Sequence, residues 1–128
     1  MGKEQEDLRC KYLLDQPKDI TVEQKFRLIL RRLRADFPPS LPVKVRRVEK
    51  DLMGPDSPHG MIYLVNEGKP TAYYKILINK KYPWTQQFDT IMHEWSHALT
   101  WHLVDKGASH GDSFHRSFGN LYRAYVED

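Results

Sequence analysis

The stretch Thr90-Ile91-Met92-His93-Glu94-Trp95-Ser96-His97-Ala98-Leu99 decides how the rest of the chain is interpreted. It contains the pattern His-Glu-x-x-His. Residues four apart on an α-helix differ by only about 40° around the axis, so His93 and His97 point in the same direction. Two imidazoles one turn apart can hold one zinc ion. Glu94 lies beside the first ligand, where it can accept a proton from an activated water without being a ligand itself.

The residues around this pattern predict a helix whose metal face and core face are separate. At about 100° per residue, one face collects apolar side chains, namely Phe88, Ile91, Met92, Trp95, Leu99 and Leu103. His93 and His97 fall on the opposite side with Thr90 and Val104. Two surface histidines without a metal are the alternative, but that interpretation predicts neither Glu94 nor a third ligand. His102 lies about 180° from His93, and we expect a core or partly buried histidine there.

Composition favours one intracellular globular domain. The 128 residues are 40% hydrophobic and 29% charged, and no apolar run approaches the ~20 residues of a membrane span. The first residues lack the apolar region of a signal peptide. The single cysteine, Cys10, excludes an intrachain disulfide and a cysteine-based zinc ribbon, so we expect a reducing, cytoplasmic location. The net charge of +3 and the pI near 9.0 are compatible with an acidic partner such as nucleic acid.

The first third of the chain predicts an irregular segment followed by a capped helix. Residues 1–18 are charged, and they either pack on the domain, which we place at residues 19–128, or stay mobile. Thr21 and Gln24 form a capping box, and Pro38-Pro39 ends the helix. The helix has an apolar face of Val22, Phe26, Ile29, Leu30 and Leu33. Its other face carries Arg27, Arg31 and Arg34. We expect a solvated face there, with weak phosphate binding as the alternative.

The middle and end of the chain predict an α+β fold. Three strands, 43–48, 61–65 and 72–79, indicate a small, mostly antiparallel meander, with a turn at 66–69. His59 lies in the loop before the second strand, where we expect it to be exposed, although loops also carry site residues. Thr85 is a candidate N-cap for the site helix, which we expect to run to about Asp105. A last helix follows from Asp112 to about Val126.

A catalytic zinc ion usually takes three protein ligands and one water, so a third ligand is required. His110, Asp112 and His115 are the nearby candidates. His110 is our first choice because it lies in a loop, and the neighbouring Gly111 has no side chain to obstruct an approach to the site helix. Asp112 suits the N-cap of the last helix, and His115 lies one turn into that helix.

The pattern His93-Glu-x-x-His97 followed by His110-Gly-x-x-Phe114 resembles the SprT-like metallopeptidase domain, the family that includes bacterial SprT and the catalytic domain of Spartan. The resemblance implies zinc ligands at His93, His97 and His110, with Glu94 as general base. It also implies a zincin arrangement over roughly residues 20–126: a helix, a small sheet, the central site helix and a closing helix. Many family members add a cysteine zinc ribbon, which a chain with one cysteine cannot form.

The sequence therefore predicts a zinc-dependent endopeptidase that acts on protein or peptide substrates. We expect the strand at 72–79 to offer a sheet edge to an extended substrate, and His115, Tyr122 and Tyr74 are candidates for stabilising the oxyanion. The alternative is a zinc-stabilised nucleic-acid-binding or interaction module without peptidase activity. Structural zinc sites are normally closed by four ligands, often cysteines, so a set of three favours the enzyme.

Overall fold

A computed structural model of the chain describes residues 19–49, 59–103 and 112–126. These residues form three α-helices and a three-stranded mixed sheet. The elements are α1 (Val22–Asp36), β1 (Val43–Val48), β2 (Gly60–Val65), β3 (Tyr73–Asn79), α2 (Trp84–Thr100), a 3₁₀ turn (Trp101–Leu103) and α3 (Asp112–Tyr125). The coarse α+β prediction is confirmed. Residues 1–18 lie outside the described part. Within that part, no helix has both the length and the hydropathy needed to cross a membrane.

Local sequence signals determine both ends of α1. The Thr21 hydroxyl accepts a hydrogen bond from the Gln24 amide at 3.1 Å, and the Gln24 side chain accepts one from the Thr21 amide at 2.8 Å. These bonds form the predicted capping box, which satisfies two amides that have no partner within the helix. The helix ends at Asp36, before Pro38, because a proline disfavours helical backbone in the residue that precedes it.

The sheet has the order β1-β3-β2, so β3 is its central strand. β2 pairs antiparallel with β3, as predicted. β1 pairs with β3 in parallel, from Val43 opposite Tyr74 to Val48 opposite Asn79. The predicted antiparallel meander is therefore wrong for one of the two pairings. The expectation that residues 72–79 form a sheet edge is also wrong, because β3 has a neighbour on both sides.

One face of the sheet packs against the helices and forms the core. β3 contributes the buried Tyr74, Ile76 and Ile78, which alternate along the strand as expected for a single buried face. The helices contribute fully buried side chains from each of their apolar faces: Ile29, Leu33, Phe88, Ile91, Trp95, Leu121 and Tyr125. The indole nitrogen of Trp95 donates to the Phe37 carbonyl at 2.9 Å, which ties the site helix to the end of α1.

Both ends of α2 differ from their predicted positions. The helix begins at Trp84 with extended Pro83 at the N-cap, and no side chain caps it. The Thr85 N-cap prediction is wrong because the Pro83 carbonyl already accepts the first helical bond, from the Gln87 amide at 3.0 Å. At the other end, the α-helix stops at Thr100 and continues as the 3₁₀ turn. His102 in that turn is exposed, so the expectation of a core or partly buried histidine is wrong.

Candidate metal centre

The site helix brings two imidazoles and one carboxylate together. His93, Glu94 and His97 each offer a ligand atom, and these atoms all lie within 4.8 Å of one another. The two imidazole Nε2 atoms are 3.2 Å apart, and the ring planes are inclined by 76°. The i, i+4 spacing of the histidines therefore places their nitrogens on one face of α2, as predicted.

The distance between the two nitrogens matches what a zinc ion requires. Zinc–nitrogen bonds of about 2.0–2.1 Å in a tetrahedral arrangement place two ligand nitrogens about 3.3 Å apart. The observed separation of His93 and His97 is 3.2 Å. The same distance also suits a hydrogen bond between a protonated and an unprotonated ring, so the distance alone does not require an ion. The buried carboxylate of Glu94 lies beside the pair, so the three residues together could hold a metal ion.

Aromatic residues of α3 pack against both imidazoles. The Phe114 ring stacks on His97, with centroids 4.4 Å apart and planes inclined by 29°. Phe114 also meets His93 edge-on at 4.9 Å, and Phe118 approaches His93 at 6.0 Å. Such contacts restrict the rotamers of the imidazoles. The phenylalanine of the His-Gly-x-x-Phe pattern thus lies directly against the histidines of the first pattern.

Glu94 is enclosed by the helix and the start of β2. Its residue surface is only 6% exposed, and burial raises the pKa of its carboxyl group to about 7, because the charged form is poorly solvated there. Gly60 forms part of this enclosure. A Cβ atom at Gly60 would lie 3.5 Å from Glu94 Oε2 and only 2.5 Å from the Thr90 methyl carbon. A residue without a side chain therefore lets β2 approach the carboxylate.

A cleft of about 370 Å³ opens beside Glu94 and His93. Its other walls are formed by His59, Gly60, Gln86, Asp89, Thr90 and Phe118. It lies between the start of β2 and the first turns of α2, so the carboxylate and one imidazole face a space that a ligand can enter. Clefts with a few convergent polar groups are the usual form of a small-molecule or peptide site.

His59 is the cleft residue that the sequence interpretation undervalued. We expected an exposed loop residue, but the side chain is half-buried and its ring packs on Tyr82 with centroids 4.2 Å apart. Its Nε2 lies 3.3 Å from the Gln86 side-chain nitrogen, and its carbonyl accepts from the Asn79 amide at 2.8 Å. The available signal was the glycine that follows it, because glycine in a strand often marks a close approach.

The other predicted site residues fall outside this cluster or outside the described part. His110, the first choice for the third ligand, lies outside the described residues, so its placement stays a prediction. Asp112 and His115 are described, and neither joins the cluster of His93, Glu94 and His97. Asp112 is the first residue of α3, and His115 is exposed.

The two tyrosines considered for the oxyanion do not line the cleft. Tyr74 is buried in the core, with its hydroxyl 3.4 Å from Ser40. The ring of Tyr122 packs on Phe118 at 5.9 Å. Neither tyrosine is therefore placed to stabilise an oxyanion in this cleft, whereas His59 is one of the residues that line it.

Comparison with known proteins adds no relative. No family model matches the chain, and neither the curated proteins nor the solved structures include a significant match. The function is therefore inferred from the residues and the geometry of the site.

Proposed function

We propose that this chain is a zinc-dependent endopeptidase in which His93 and His97 bind the ion and Glu94 is the general base. The observation that carries the proposal is the pair of Nε2 atoms 3.2 Å apart beside a buried carboxylate within the same 4.8 Å cluster. When bound, the ion would polarise the scissile carbonyl and lower the pKa of the attacking water toward ~7. The resemblance of the two sequence patterns to SprT-like metallopeptidases supports the same reaction.

His110 is the third ligand in this proposal. Within the described residues, only two imidazoles converge on the centre, and a catalytic site needs a third protein ligand while keeping one position open. The resemblance implies His110 for this role. Of the other two candidates, His115 is exposed on α3 and Asp112 begins that helix, so neither has a comparable claim.

Glu94 moves the proton. Its carboxylate accepts a proton from the attacking water and delivers it to the leaving amine. The side chain is held against the cleft by its own helix and by the nearby backbone of Gly60. This enclosure limits the positions that the carboxylate can take, which is the condition for efficient proton transfer.

The start of β2 is the proposed binding edge for an extended peptide. β2 is an edge strand of the described three-stranded sheet, and its first residue, Gly60, lies beside Glu94. A peptide that adds to this edge through backbone hydrogen bonds would pass the carboxylate. This edge replaces the one at residues 72–79, which the central position of β3 rules out.

His59 is the proposed donor to the substrate carbonyl. The Gln86 amide nitrogen can only donate, so the contact at 3.3 Å makes His59 Nε2 the acceptor and leaves the proton on Nδ1. Tyr82 and Asn79 hold the ring and the backbone of His59 in place. A preorganised N–H donor in a cleft stabilises negative charge that develops on the carbonyl oxygen.

Cleavage of an unstructured protein such as casein tests the proposal. We expect the zinc-loaded chain to release fragments and the Glu94→Gln variant to bind zinc but cleave at least 100-fold more slowly, since it has no base. His102→Ala is the matched control, because His102 is an exposed histidine outside the cluster, and it should cleave like the wild type. Wild-type cleavage by Glu94→Gln would show that the base is assigned wrongly.

A further inference from the structure

The face of the sheet that points away from the helices carries different residue types from the apolar face that forms the core. Along β3, Tyr73, Lys75 and Leu77 alternate with the three core residues. The register places Lys75 between Lys44 on β1 and Tyr63 on β2. In the next row Leu77 lies between Arg46 and Met61. We call these seven residues the outer sheet face.

The outer sheet face is basic and aromatic, and none of its seven residues is acidic. The three strands contain neither aspartate nor glutamate. Lys44 and Arg46 are exposed, and Lys75, Tyr63 and Tyr73 are partly exposed. The Lys44 ammonium lies 4.3 Å from the centroid of the Tyr73 ring, a cation–π contact that keeps a positive charge beside an aromatic surface.

Two of the three arginines predicted on the polar face of α1 have partners within the fold. Arg34 donates to the Val43 carbonyl at 3.1 Å, and Arg27 lies 3.8 Å from Glu23. The basic face predicted on the helix is therefore partly engaged within the fold. The outer sheet face instead combines positive charge with aromatic rings.

We propose that the outer sheet face binds single-stranded nucleic acid. Lys44, Arg46 and Lys75 would neutralise phosphates. Tyr63 would stack on one base, and Tyr73 would stack on a second base through the ring face that Lys44 does not cover. Because Tyr73 is paired with Val65, it lies diagonally from Tyr63, about 7–8 Å away, which is far enough for separate bases. A single strand is favoured over a duplex because only unpaired bases expose their faces to aromatic side chains.

This proposal is independent of peptidase activity. The buried side chains of the helices, including those of α2, pack against the opposite face of the sheet. The nucleic-acid site and the metal centre therefore share no side chain. A chain that binds the oligonucleotide but fails to cleave casein would refute the proposed peptidase and leave this proposal standing. A chain that cleaves casein but fails to bind the oligonucleotide would refute this proposal and leave the peptidase standing.

Fluorescence anisotropy with a labelled oligothymidine of about 12 nucleotides tests the proposal. We expect salt-sensitive binding by the wild type. The triple variant Lys44→Ala/Arg46→Ala/Lys75→Ala should bind at least tenfold more weakly. The slope of its log K against log salt concentration should be less steep than that of the wild type by about 2. Tyr63→Leu/Tyr73→Leu keeps apolar bulk and should weaken binding at least fivefold without changing that slope.

The matched control removes the same charge elsewhere. Arg31→Ala/Lys69→Ala/Lys80→Ala replaces three exposed cations outside the outer sheet face, and its affinity should stay within about twofold of the wild type if the site is local. Equal weakening by both triple variants would overturn the proposal. So would equal affinity for a duplex of the same length, or full competition by an acidic peptide at equal charge concentration.

Discussion

Replacing Gly60 with alanine would drive a methyl group into the first turns of the site helix. The new Cβ atom would lie 2.5 Å from the Thr90 methyl carbon and 2.9 Å from the Leu77 carbonyl oxygen. Carbon atoms in contact normally lie about 3.5–4.0 Å apart, so β2 and α2 would have to separate by about 1 Å. Thr90 cannot easily turn its methyl group away, because its hydroxyl donates to the Gln86 carbonyl at 2.8 Å.

The structure sets the expected size of this effect. Overpacking of a close contact costs about 1–3 kcal/mol, and we expect Gly60→Ala to lower the free energy of unfolding by that amount. Thr90→Ser removes the methyl group and keeps the hydroxyl. In the double variant, at least about 0.5 kcal/mol of the loss should be recovered. The recovery should be partial, since the contact with the Leu77 carbonyl remains.

Urea unfolding in the presence of EDTA measures these energies without a contribution from metal binding. The four proteins compared are the wild type, Gly60→Ala, Thr90→Ser and the double variant. Gly119→Ala is the matched control, because a Cβ atom at Gly119 meets nothing within 4 Å. That glycine lies inside α3, so alanine there should raise stability by about 0.5–1 kcal/mol. If Gly60→Ala unfolds within about 0.5 kcal/mol of the wild type, or if the two substitutions are additive, the close approach of β2 to α2 is wrong.

Three further substitutions test the site helix and its supports. Burial raises the pKa of Glu94 from 4.5 to about 7, so the stability that protonated Glu94 contributes is present below pH ~4.5 and is lost as pH rises through ~7. Relative to Glu94→Gln, the metal-free wild type should lose roughly 3 kcal/mol between these limits in urea unfolding, and parallel pH profiles would contradict this. Trp95→Phe removes the donor to the Phe37 carbonyl and should lower stability by about 1–3 kcal/mol, whereas an unchanged urea midpoint would exclude that bond. Arg47→Lys loses the bond from Nε to the Gln87 side chain and should cost about 1 kcal/mol, and a gain in thermal stability would show that the bond contributes nothing.

The features that the sequence predicted correctly are those that depend on neighbouring residues. The capping box of Thr21 and Gln24 formed because its members are three residues apart, and the histidine pair formed because a helix places i and i+4 on one face. The three strands were also located within one residue of their ends. All of these signals are contained in short stretches of chain.

The features that were missed depend on distant contacts. Nothing in the sequence of β1 shows that it pairs in parallel with β3 rather than with its neighbour β2, since strand order is set by packing across the whole sheet. His59 is far from the site helix in sequence, and only the pairing of β2 with β3 brings it to the cleft.

Isothermal titration of the purified, EDTA-treated chain with zinc tests the metal centre most directly. The account predicts that one ion binds per chain, that His93→Ala and His97→Ala abolish this binding, and that Glu94→Gln and His102→Ala retain it. Undiminished zinc binding by His97→Ala, or no binding by the wild type, would contradict the assignment of the histidines, and the proposed peptidase would fail with it.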